Sequence, residues 1–108
     1  MTETEILDMI KKELSGNKIL LFTKGTKDMP MCGFSARAIA IFKELGKPFK
    51  TIDVLADPRI RQVLSSHSNW PTVPQIFVDG QFIGGSDIVM EMHQKGELRP
   101  LVDKAFGG

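Results

Sequence analysis

Apolar residues recur along this chain with two different periods. Ile6, Met9, Ile10 and Leu14 follow at helical intervals behind Thr2 and Glu5, which have capping-box spacing, and Gly16 stops the pattern. Ile19-Leu20-Leu21-Phe22 is then a continuous apolar run of strand length. It shows no alternation, which suits a strand buried on both faces. A loop containing Gly25 and Pro30 leads to Cys32, and Phe34, Ala38, Ile41, Phe42 and Leu45 mark one side of a helix that ends at Gly46. Phe49 to Val54 reads as a second strand. Asp57-Pro58 is an N-cap followed by proline at the first helical position, with Ile60, Val63 and Leu64 as the inward stripe. Ile76-Phe77-Val78, Asp79-Gly80 and Gln81-Phe82-Ile83 form a hairpin signal around its turn dipeptide. Gly84-Gly85 breaks that strand, and Ser86 or Asp87 caps a helix with Ile88, Val89 and Met92 inward, ended by Gly96. A last short helix is expected from Leu98 to Phe106.

The predicted order is αβαβαββαα. The first two strands flank a helical crossover, so they should be parallel, and the last two form an antiparallel hairpin. One mixed four-stranded sheet with helices on both faces satisfies both demands, giving an α/β fold. The 108 residues, 1–108, make a single domain long enough to bury one core. A net charge of +1 gives no electrostatic case for nucleic acid or a membrane surface, and no apolar run approaches the ~20 residues of a membrane span. Glu3, Glu5 and Asp8 make the N-terminus acidic where a leader would be basic. One cysteine excludes an internal disulfide and points to a reducing compartment, the cytoplasm or a processed organelle protein.

That cysteine is the main candidate for chemistry. Cys32 opens the run Cys32-Gly33-Phe34-Ser35 at the start of a helix that follows a buried strand. Loops at the C-terminal ends of strands are favoured binding places in such sheets. The helix N-terminus offers unpaired N–H groups and the positive end of the dipole, which favour thiolate. Lys24 and Lys27 add positive potential, and Gly33 leaves the sulfur approachable. Ser35 stands where a C-x-x-C motif has its second cysteine, and a hydroxyl cannot resolve a mixed disulfide; it can equally be a first-turn residue that only hydrogen-bonds backbone. An exchange cycle here ends with an external thiol, most simply glutathione. Trp70-Pro71-Thr72-Val73-Pro74 reads as a rigid extended segment or as a plain loop in which Trp70 caps the core. Ser86 and Asp87 either cap a helix or meet a ligand, and Arg61 either clamps a carboxylate or is an ordinary surface arginine. His67 and His93 have no metal spacing with Cys32.

These residues together resemble the monothiol glutaredoxins of the CGFS type. The resemblance runs from about Ile6 to Val102 and is carried by Lys24-Gly25-Thr26, Cys32-Gly33-Phe34-Ser35, Trp70-Pro71-Thr72-Val73-Pro74-Gln75, Val78-Asp79-Gly80 and Ile83-Gly84-Gly85-Ser86-Asp87. It implies a thioredoxin-like fold with Pro74 cis. It implies glutathione lying along Val73 and Pro74, with its glycyl carboxylate near Lys24 and Arg61 and its γ-glutamyl end at Ser86 and Asp87. It further implies a 2Fe–2S cluster bridging a homodimer, held by Cys32 and a glutathione thiolate from each half. Ser86 departs from the many members that have a second cysteine there, so no auxiliary disulfide is available through that position.

A 2Fe–2S cluster takes four thiolate ligands, and each protomer supplies one. With half the ligands exchangeable, such a cluster is labile, which suits a carrier handing clusters to iron–sulfur acceptor proteins. The alternative is a glutathione-dependent oxidoreductase that deglutathionylates protein mixed disulfides through Cys32, at most a weak activity beside the carrier role. A third reading is an interaction module, with BolA-like proteins as the partners the resemblance suggests.

Overall fold

Strand β1 (Ile19–Thr23) is the axis of the molecule. In the computed structural model, which describes residues 1–107, all five of its residues are buried. β2 (Lys50–Asp53) runs parallel to it on one side, β3 (Gln75–Val78) antiparallel on the other, and β4 (Gln81–Gly84) pairs antiparallel with β3. The order is β2-β1-β3-β4, the mixed four-stranded sheet expected.

The strand period divides the core in two. Ile19 and Leu21 of β1 and Ile76 and Val78 of β3 face one layer of helices. That layer consists of α2 (Gly33–Leu45), α4 (Ser86–Gln94) and α5 (Leu98–Ala105), which contribute Ala38, Phe42, Val89 and Leu98. Leu20, Phe22 and Phe77 face the other way, against Ile6 and Ile10 of α1 (Glu3–Gly16) and Leu64 of α3 (Pro58–Ser68). Each such side chain contributes roughly 1.5–3 kcal/mol by leaving water. A strand sandwiched this way has no polar face, which is why β1 shows no alternation.

Local signals act where they were expected. Thr2 Oγ1 accepts the Glu5 N–H at 3.1 Å and Glu5 Oε1 accepts the Thr2 N–H at 3.0 Å, closing the capping box of α1. Asp57 Oδ1 accepts the Arg59 N–H at 3.0 Å ahead of Pro58. Asp79 and Gly80 have φ of 53° and 78°, the positive pair that a two-residue hairpin turn requires.

Two expectations fail. Phe34 is 55% exposed and Ile88 39% exposed, although both belong to apolar helical stripes. Both sit in the first turn of their helices. Periodicity gives the direction of a helical face, not how far the facing layer extends, and here the first turns carry no core over them. The N-cap of α4 is Gly85, with no side-chain cap, so neither Ser86 nor Asp87 caps that helix. Ile60, Val63 and Met92 do face inward, half-buried and packed against the two core clusters.

Candidate functional site

After β1 the chain turns at Gly25, with φ of 89°. A Cβ there would lie 2.5 Å from both the Met29 carbonyl oxygen and the Met31 nitrogen, so only glycine fits. The turn is pinned from two directions. Asp53 Oδ1, at the end of β2, accepts the Gly25 N–H at 2.9 Å, and the Lys24 carbonyl accepts the Met31 N–H at 2.8 Å. Lys27 donates to the Phe49 carbonyl, and its ammonium lies 4.0 Å from the Phe49 ring centre. Its charge is therefore spent on Phe49 rather than on the thiol, contrary to expectation.

Cys32 occupies the N-cap of α2 in extended conformation, half-buried and unpaired. Its sulfur accepts no side-chain capping hydrogen bond of ordinary geometry. The backbone N–H groups of Ser35 and Phe34 nevertheless act on it and hold the thiol pKa below its ordinary value. Burial opposes them, while the Lys24 charge and the Ser35 hydroxyl add to the lowering. Ser35 is fully buried, and its Oγ accepts the Lys24 N–H at 3.0 Å, so it does bond backbone as one reading held. Accepting that bond leaves the hydroxyl proton free for the sulfur. A Cβ on Gly33 would meet nothing within 4 Å, so the approach to the thiol is open.

Phe34 also forms one wall of a cleft of about 260 Å³. The segment from Trp70 to Pro74 forms the second wall and the start of α4, Gly85 to Ile88, the third. Val73, Pro74, Ser86 and Asp87 are thus brought together, with Lys24 beside the thiol. Arg61 lies exposed on α3, and Arg61, Lys24 and Cys32 are all outside the residues that line the cleft, which reaches the thiol's helix at Phe34. The Val73–Pro74 peptide bond is cis. Among the described residues, the Val73 N–H and C=O have no hydrogen-bond partner, leaving both free for an extended ligand backbone. The first-turn N–H groups of α4 offer an anion site. Ser86 Oγ is buried and without a protein partner. Trp70 packs on Phe82, ring centres 5.5 Å apart, so it both walls the cleft and covers core.

Three larger grooves, of about 380, 390 and 480 Å³, lie at the α1–hairpin end, between α1 and α3, and where the end of α2 meets α4 and α5. None holds a cysteine, and among the described residues no three His, Cys, Asp or Glu side chains converge. Cys32 is therefore the one thiolate this protomer can offer.

Residues 19–83 match the family model described as Glutaredoxin. The chain belongs to the glutaredoxin family. A relative named uncharacterized monothiol glutaredoxin ycf64-like, from Synechocystis sp., is 51% identical over 90% of this chain and 91% of its own length. Reduced poplar apo GrxS14 superposes with a TM-score of 0.88 at 41% identity, covering 100% of both chains. The crystal structure of a buckwheat glutaredoxin–glutathione complex gives a TM-score of 0.84 at 28% identity, over 95% of this chain and 92% of that one. This glutaredoxin is of the monothiol kind, with a thioredoxin-like fold. No helix among its described residues is long and apolar enough to cross a membrane.

Sequence reasoning gave no role to two residues that shape the glutaredoxin's site. Asp53 accepts from Gly25 and also from the Leu55 N–H at 2.8 Å. The register of β1 with β2 puts Asp53 opposite Thr23, and that register, unlike the parallel pairing itself, carried no signal in the sequence. Gln75 is the other, a polar residue at the head of an otherwise apolar strand.

Proposed function

We propose that this protein binds glutathione in the cleft beside Cys32 and, as a homodimer, carries a bridging 2Fe–2S cluster for delivery to acceptor proteins. The observation that carries this reading is a single half-buried thiol, biased towards thiolate, next to a cleft with an unpaired backbone edge at Val73. A 2Fe–2S cluster held by thiolates takes four of them. One cysteine per chain leaves two protomers and two glutathiones as the simplest complete set. Lys24 and Arg61 take the glycyl carboxylate, Val73 and Pro74 receive the peptide backbone, and Ser86 and Asp87 take the γ-glutamyl end. A relative crystallised with glutathione supports the small-molecule half of this reading. Met29, Met31, Phe34 and Ile88 are exposed around the thiol end, an apolar rim suited to a second copy or to a BolA-like partner. The reducing cytoplasm is the compartment this chemistry fits.

Anaerobic incubation with iron, sulfide and glutathione should convert the chain to a coloured dimer on size exclusion, dependent on glutathione. A colourless monomer under those conditions would refute the carrier role.

The lowered Cys32 pKa also favours a second reading, protein deglutathionylation. Cys32 thiolate attacks the glutathionyl sulfur of a mixed disulfide, the target protein leaves as thiolate, and free glutathione thiolate then displaces Cys32, releasing oxidised glutathione. Turnover no faster than that of Cys32→Ser would remove this activity.

A further inference from the structure

Gln75 opens β3, pairs opposite Phe22 and is fully buried. Its Nε2 donates to the Trp70 carbonyl and to the Thr72 carbonyl, both at 3.1 Å. A primary amide has two N–H donors, and both are used. Oε1 is buried and finds no partner among the described residues. Only the donating end of the amide can face two carbonyl oxygens, so the orphan acceptor is the consequence of that double bond.

The two carbonyls lie either side of Pro71. Drawing both inward fixes the chain just ahead of Val73, whose own N–H and C=O stay unpaired at the cleft. We infer that Gln75 is a positioning residue for glutathione: it holds the 70–72 segment so that Val73 presents a fixed backbone edge, without itself touching the ligand. This rests on the glutathione reading above. The side chain has few substitutes. Glutamate ionised has no donor, and protonated it has one, against two carbonyls. Methionine has similar length and none.

The test compares Gln75→Glu and Gln75→Met with the parent, using Gln81→Glu, at an exposed end of β4, as the control for added charge. Glutathione is titrated into the reduced protein and followed by NMR. Alkylation of Cys32 by iodoacetamide is measured against pH, and backbone order parameters from 15N relaxation are read at Trp70, Thr72 and Val73. Gln75→Glu should raise the glutathione Kd about tenfold, a shift in keeping with the loss of two net hydrogen bonds, and should lower the order parameters of the 70–73 backbone. Gln75→Met should do the same to a smaller degree and keeps the test readable if the glutamate variant fails to fold. In Gln75→Met, which adds no charge, the pH midpoint of alkylation should stay where it is, because Gln75 is not among the groups acting on the sulfur. Unchanged Kd and order parameters in both variants would overturn the role assigned to Gln75. So would a Kd shift in Gln75→Met accompanied by a shift in its alkylation midpoint, since the effect would then be global. A parent protein that does not bind glutathione would overturn the site reading itself, while the order parameters would still report whether Gln75 holds the segment.

Discussion

Ser35→Ala removes one oxygen from the first turn of α2 and should be felt twice, in stability and at the thiol. That oxygen accepts the Lys24 N–H at 3.0 Å inside a fully buried side-chain site. Leaving a buried backbone donor unsatisfied costs about 1–3 kcal/mol, and alanine returns roughly 0.5 kcal/mol through its better helix propensity. Lys24 is half-buried, so water compensates in part. The net loss is then about 1–2 kcal/mol, equivalent to roughly 5–10 °C in Tm for a domain of this size. Urea unfolding should show a lower midpoint with an unchanged m-value, the sign of lost stability rather than an altered denatured state. Ser35 also helps to lower the Cys32 pKa, through its backbone N–H first and its hydroxyl last. The substitution keeps the N–H and deletes the hydroxyl, so the alkylation midpoint should move upward modestly rather than revert fully. A variant as stable as the parent, with the same midpoint, would show that the hydroxyl links neither Lys24 nor the sulfur.

Lys24→Ala and Arg61→Ala should separate. Both should weaken glutathione binding in a titration, but only Lys24→Ala should also raise the pH midpoint of Cys32 alkylation, because Lys24 acts on the sulfur and Arg61 does not. Cys32 also links stability to pH. Its folded-state pKa lies below the ordinary thiol value, so between the two midpoints the folded chain binds fewer protons than the unfolded one. That increment is fully present above the unfolded thiol's midpoint and is lost as pH falls through the folded one. Urea unfolding of the parent and Cys32→Ser from about pH 5 to about pH 9.5 should therefore show the parent gaining stability relative to the variant as pH rises. Parallel pH profiles would mean that the thiol is not biased in the folded state.

The helices and strands were legible because their signals are local. A capping box needs Thr2 and Glu5, a proline-started helix needs Asp57-Pro58, and a two-residue hairpin needs Asp79-Gly80. The buried centre was legible too, since an unbroken run such as Ile19 to Phe22 has no face to give to water. Cys32 stood out by chemistry and position, and the structure places it at the N-cap of α2 with its pKa lowered. The rest of the site depended on where layers stop and which distant groups meet. Phe34 and Ile88 follow apolar periodicity yet wall a cleft instead of filling the core. Lys27 had the right neighbourhood in sequence but is drawn to Phe49, 22 residues on.

The chain by itself determined that a lone thiol sits at a strand-to-helix turn of a mixed α/β sheet, because residue type, spacing and turn chemistry act over a few bonds. Only the folded arrangement decided what surrounds it. Asp53 reaches Gly25 across 28 residues, Ser35 takes the Lys24 N–H across 11, and three separated segments close around the cleft. Those contacts depend on strand register and on where helices end over the sheet, quantities fixed by packing the whole core and carried by no single stretch of sequence.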